Sequence, residues 1–201
     1  MYENIRPLKV NIISDVHYYS REMGYTGKAF DKTNATASNE MVHSKEILEA
    51  LMHQLSKDDA DIVLVSGDLT NKAERPSHEG IIKLLRELKE NGKKVYVITA
   101  THDFTDHNLT YCYEGDEKKT VPAVTREELR KLYDEFGPSE AISVHEDSMS
   151  YVVQLCDGYR LFALNDDRNH KGASGFSDDC FAWISEQIED AKKNGQFIIP
   201  M

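Results

Sequence analysis

Apolar residues fall in short bursts along the first hundred positions. Leu8-Lys9-Val10-Asn11-Ile12-Ile13, Ile62-Val63-Leu64-Val65 and Val95-Tyr96-Val97-Ile98 are runs of strand length, rich in β-branched side chains. Between them the apolar spacing changes to three and four residues. Ile47, Leu48, Leu51, Met52 and Leu55 form one stripe and predict a helix over about Glu40 to Lys57. Ile81, Ile82, Leu84, Leu85 and Leu88 predict another over about Ser77 to Glu90, stopped by Asn91-Gly92. The order is βαβαβ, which implies parallel strands joined by helical crossovers.

The second half has a different texture. Phe104 to Val124 is polar and reads as loop. Thr125-Arg126-Glu127-Glu128 has the capping-box form and opens a helix to about Phe136, which Gly137-Pro138 ends. Ser150 to Leu155 and Tyr159 to Leu164 are β-rich runs around Cys156-Asp157-Gly158, a hairpin signal. Asp178 and Asp179 suit the first turn of a further helix, burying Phe181, Trp183, Ile184 and Ile188 and ending near Asn194-Gly195. Gln196 to Pro200 opens one more strand. The polar stretch from Tyr18 to Asn39, with Gly24 and Gly27, is long for a connection. It reads equally as a binding loop and as a surface insert. Tyr18, Tyr19, Tyr111 and Tyr113 could stack on a nucleobase, or simply cover core.

Bulk properties narrow the classes. At 201 residues the chain fits one domain with one sizeable core. A net charge of −11 disfavours non-specific binding to nucleic acid, which needs clustered Lys and Arg. A phosphorylated small molecule or a nucleotide stays open as substrate, because bound cations reverse the local field. No apolar stretch approaches the roughly 20 residues of a membrane helix, and the N-terminal residues do not have the form of a secretory signal. Cys112, Cys156 and Cys180 are sparse and odd in number, which suits a reducing, cytoplasmic setting.

The chemistry stands where the three apolar runs end. The first leads into Ser14-Asp15-Val16-His17, the second into Ser66-Gly67-Asp68, the third into Thr99-Ala100-Thr101-His102-Asp103. Ligands of open α/β sheets gather outside the carboxyl ends of the strands. A pair of divalent ions about 3.5 to 4 Å apart needs a bridging carboxylate with oxygen and nitrogen ligands around it. Asp and His suit manganese, iron or zinc. Asp15 and His17 stand two apart, so in extended backbone both reach one ion. Asp68, on a neighbouring strand, could touch both ions, and His102 could act beside a phosphoryl group as donor or general acid. Each element alone is a common coincidence; all three in order at strand ends are specific.

Ser14-Asp15-Val16-His17, Ser66-Gly67-Asp68-Leu69-Thr70-Asn71 and Ala100-Thr101-His102-Asp103 resemble the motifs of calcineurin-like metallophosphoesterases, and Val63 to Glu79 resembles the bacterial phosphohydrolases among them. The resemblance implies an α/β fold of four layers, two mixed β-sheets packed together with helices outside. It implies a dinuclear centre hydrolysing phosphomonoesters or phosphodiesters with a metal-bound hydroxide. Asp15 and His17 would then bind the first metal, Asp68 would bridge, and His102 would polarise the phosphate or protonate the leaving oxygen. Asp103 would hold the His102 imidazole.

Two departures stand out. Ala100-Thr101 replaces the family's usual Gly-Asn, so the second metal loses an amide ligand there. The family's later lone His and Gly-His-x-His segment do not appear; His145 and His170 lack their context. The chain is therefore expected to be the front portion of such an enzyme, weakly active or inactive alone. The rival is a non-catalytic binding or regulatory module on a decayed scaffold. A nucleotide-binding α/β protein is disfavoured, since neither GxGxxG nor GxxxxGK[ST] occurs.

Overall fold

From its N-terminal side the chain runs through β1 (Val10–Ile13), α1 (Lys28–Asn34), α2 (Ser44–Lys57), β2 (Ile62–Ser66), α3 (Arg75–Glu90) and β3 (Lys94–Ile98). The computed structural model describes residues 7–166 and 175–201. The three strands lie side by side in the order β1-β2-β3, all parallel, as the apolar runs imply. Alternation along them feeds two cores. Val63, Val65, Val95 and Val97 face α2 and α3, meeting Leu48, Met52, Leu55, Ile81, Leu85 and Leu88. Ile62, Leu64, Tyr96 and Ile98 face the other way.

That other face meets a second sheet, β6-β7-β8-β9, formed by β6 (Ser143–His145), β7 (Ser150–Cys156), β8 (Tyr159–Ala163) and β9 (Phe197–Pro200). The first three pair antiparallel and β9 joins β8 in parallel, so the mixed pairing sits here. Tyr151, Val153, Leu155, Leu161 and Ala163 close the intersheet core. The Tyr151 hydroxyl crosses the layers to donate to the Val97 carbonyl at 2.7 Å. α5 (Asp178–Lys193) makes the crossover from β8 to β9 outside this sheet, giving helix, sheet, sheet and helix layers. The four-layer α/β expectation holds.

Several boundaries move, each for a local reason. α2 begins at Ser44, not Glu40, because the Glu40 carboxylate accepts from the Val42 and His43 amides and holds a turn ahead of the helix. α3 begins at Arg75, with a proline in its first turn, where a fixed φ is suited to helix entry. α4 (Arg126–Leu132) has the expected capping box but stops at Tyr133, and Phe136 belongs to a separate 3-10 turn. α5 buries Cys180 and Ala191, whereas Phe181 is 56% exposed and Trp183, Ile184 and Ile188 are only half-buried.

The largest correction concerns the two segments read as loops. Within Phe104 to Val124 lies an antiparallel hairpin, β4 (Leu109–Glu114) and β5 (Glu117–Pro122), turned by Gly115-Asp116. Within Tyr18 to Asn39 lie a 3-10 turn at Arg21–Met23 and α1. Both segments share a small core of Tyr19, Met23, Phe30, Met41 and Tyr113. Gly24 and Gly27 make the contact possible. A side chain on either would strike the carbonyl of Tyr113 or Gly115, at 1.9 and 1.8 Å. The Lys28 amide, at the start of α1, donates to Asp116 at the hairpin turn, 3.0 Å away. The long insert is thus a packed subdomain beside the sheet's carboxyl edge.

Candidate metal centre

Parallel register aligns the strand ends: Ile13 pairs with Val65, and Ser66 with Ile98. The loops that follow continue to zip together. The Asp15 amide donates to the Gly67 carbonyl at 3.2 Å, the His17 amide to that of Asp68 at 2.9 Å, and the Ala73 amide to that of His102 at 2.8 Å. Gly67 (φ 76) is required at this approach, since an added Cβ would lie 2.5 Å from the Ala100 Cβ.

One ligand-capable atom from each of His17, Asp68 and His102 lies within 4.8 Å of the others. Asp68 is oriented from behind. Its Oδ1 accepts from the His102 amide at 3.0 Å, and its Oδ2 stands 3.7 Å from His17 Nε2. The two imidazoles meet edge to face at 4.5 Å between centroids. His102 Nδ1 lies 2.7 Å from the Asn71 carbonyl. A carbonyl only accepts, so Nδ1 carries the hydrogen and the neutral ring presents a bare Nε2.

Asp15 stands at the rim. Its Oδ1 is 3.8 Å from His17 Nε2, and its side chain is 67% exposed. The i, i+2 argument for pairing it with His17 fails here. The strand ends at Ile13, and Asp15 (φ 54) and His17 (φ 45) both lie in the left-handed region. Asp68 (φ 50) does too. Non-glycine residues there cost on the order of 1–3 kcal/mol each and concentrate at functional sites. Thr101 is half-buried in the turn before His102.

Asp103 does not hold the His102 ring. It turns the opposite way and is fully buried. Its carboxylate accepts from the Thr70 amide and the Ala100 amide, both at 2.9 Å, and from the Thr70 hydroxyl at 3.3 Å. Burial pushes the Asp103 carboxyl up to about 7, against the pull of those donors. Behind it, His78 bridges the Asp103 carbonyl (3.1 Å) and the Tyr133 hydroxyl (2.8 Å), and burial pushes its imidazole down to about 3. The resemblance covers Asn71 and Glu74 but assigns them no task. The structure places Asn71 against His102 and Glu74 against Asn71. His145 is engaged by Asp179 and Ser148, and His170 lies outside the described residues.

His17 and Asp68 offer a nitrogen and an oxygen donor, with the Asp15 carboxylate at the rim and the His102 ring beside them, a set that fits manganese, iron or zinc. Spacings of 3.7 and 3.8 Å are too long for hydrogen bonds. They suit groups sharing a cation, whose ligands about 2.1 Å from the ion stand roughly 3 to 4 Å apart. The nitrogen that stands near both carboxylates is His17 Nε2; Nδ1, the other ring nitrogen, is buried without a partner among the described residues.

A family model for calcineurin-like phosphoesterases matches residues 8–201. Among solved structures, a dimetal phosphatase from Danio rerio is similar with a TM-score of 0.63 and 13% identity, over 96% of this chain and 68% of that one. At that identity the likeness concerns the fold. No curated protein matches the chain.

Proposed function

The chain belongs to the calcineurin-like phosphoesterase family, and on that footing we propose that it is a metal-dependent phosphoric ester hydrolase using two divalent cations at the strand tips. The observation that carries this reading is the convergence of His17, Asp68 and His102, one ligand-capable atom from each lying within 4.8 Å of the others. His17 and Asp68 would hold cations, with Asp15 closing the set on the solvent side and Asp68 in reach of both ions. When bound, the cations neutralise charge on phosphoryl oxygens and acidify water. His102, fixed by the Asn71 carbonyl, keeps Nε2 free to receive a proton and deliver it to the leaving oxygen. The substrate is a phosphorylated small molecule or nucleotide. Three unpaired cysteines support a cytoplasmic place.

The test is elemental analysis of protein purified without chelator, paired with a panel of phosphomonoesters and phosphodiesters. Bound manganese, iron or zinc is expected, with turnover that chelation removes and the same ion restores. Protein that takes up no divalent cation would sink the reading. A loaded centre that turns over no ester would favour the rival, a binding module.

A further inference from the structure

A second concavity shares His102 with the strand tips. It holds about 220 Å³, between the α1 insert and the β4–β5 hairpin. Asn71, Glu74, Thr110, Tyr111 and Tyr113 line it.

One group lining it lacks the partner that a buried polar atom usually has, and a second keeps acceptor capacity to spare. Thr110 is 2% exposed, and its hydroxyl has no hydrogen-bond partner among the described residues. One water would satisfy that hydroxyl, but the cavity is far larger than the roughly 30 Å³ a water takes. Glu74 is buried and accepts from Asn71 Nδ2 and the Lys72 amide, both at 3.0 Å, and from the Ser77 hydroxyl. A carboxylate offers about four lone-pair sites, so acceptor capacity remains. Asn39 Nδ2 donates to Asn71 Oδ1 at 3.0 Å, so the chain Asn39, Asn71, Glu74 is oriented before anything enters. Tyr111, 41% exposed, offers the hairpin's outer aromatic face, with Lys118 Nζ 3.8 Å from its ring centroid.

We propose that this cavity seats the alcohol half of the ester, a single small ring whose N–H or O–H donors meet Glu74 and Thr110 while the phosphoryl group lies at His102. The inference rests on the phosphoesterase reading for the phosphoryl end alone. Furanose and pyranose sugars share this donor chemistry, the furanose being the ring through which a nucleotide is esterified. The volume, below the roughly 300 to 1,000 Å³ of sites for larger ligands, admits one ring and not a chain of them.

The test separates the two ends. Ribose and glucose, single rings which carry no phosphate, are titrated by calorimetry into the wild type and Thr110→Val. Binding of one of them is expected, and its identity names the ring. Thr110→Val should weaken it about tenfold, the usual scale for one lost hydrogen bond. The variant should also lose more kcat/KM on the matching phosphate ester than on p-nitrophenyl phosphate, through KM and not kcat. Glu74→Gln repeats the comparison should Thr110→Val melt early. Binding of neither ring, or equal Kd in wild type and both variants, overturns the proposal. Ring binding with no ester hydrolysed would leave the cavity standing and sink the phosphoesterase reading instead.

Discussion

Two polar clusters lie back to back at the carboxyl edge of the first sheet, and they are built in opposite ways. His17, Asp68 and His102 face outward on left-handed or turned backbone, with His17 Nε2 3.7 Å from the Asp68 carboxylate and His17 Nδ1 unpaired among the described residues. Thr70, Asp103, His78 and Tyr133 face inward and are joined by hydrogen bonds of 2.8 to 3.3 Å. Neighbouring residues of one motif, His102 and Asp103, go one to each cluster. The inner cluster is satisfied by the chain itself, so its work is to hold β2's loop against β3's. The outer one is unsatisfied, so its work waits for something that binds. Damage to the outer cluster should therefore cost function, and damage to the inner one stability.

The sharpest way to break that division is Asp68→Asn. An amide keeps the size and tolerates φ 50, but it loses the charge that cations need. Metal content should fall severely, and kcat/KM by about a hundredfold or more, comparable to the loss of a charge-stabilising group. The denaturation midpoint should change little, since the amide oxygen still accepts from the His102 N–H. A large fall in midpoint with full metal content would erase the distinction between the clusters.

Asp103→Ala is the mirror experiment. It leaves the Thr70 amide, the Thr70 hydroxyl and the Ala100 amide without their acceptor in a buried place. A loss of about 2 to 4 kcal/mol in urea unfolding is expected, because unmet buried donors are the expensive kind. Unchanged unfolding free energy would show that Asp103 is not structural.

His78 sharpens the same point through pH. Its folded imidazole titrates near 3, below the ordinary 6.5, so between those values the unfolded chain binds one more proton than the folded one. This contribution to stability is whole above about 6.5 and is lost as pH falls toward 3. The wild type should thus lose up to about 1.4 kcal/mol per pH unit more than His78→Gln over that window. Parallel pH profiles of unfolding would mean that His78 is protonated in the fold and that the inner cluster is not closed.

How much of this was legible depended on how local the cause was. β2 and β3 are buried on both faces, so their apolar runs stand out, and the residues after them could be placed at a sheet edge. The hairpin was hidden because β5 reads Glu117-Lys118-Lys119-Thr120, exposed throughout and without apolar alternation. It is ordered by contacts to Phe30 and Met41, more than 70 residues away in the chain. The division of His102 from Asp103 was illegible for a similar reason. Which of two adjacent polar residues turns inward is decided by Thr70 and Asn71, on the loop after β2. The same lesson applies to Asp15 and His17. Extended alternation served as the argument for pairing them, but left-handed turns after Ile13 do the positioning.

The smallest expected effect lies at Thr101, and it tests how complete the outer cluster is. The resemblance sets an amide ligand at this place, and a hydroxyl is shorter and a poorer donor to a cation. The structure gathers His17, Asp68 and His102 without it. Thr101→Ala should then change metal content less than twofold, against the severe loss in Asp68→Asn, when both are read by elemental analysis on the same preparation. Half-buried Thr101 gives up little packing, so the melting temperature should move by no more than a few degrees. Wild-type metal content in both variants would remove Asp68 from its bridging role, and a severe loss in both would make Thr101 a ligand in its own right.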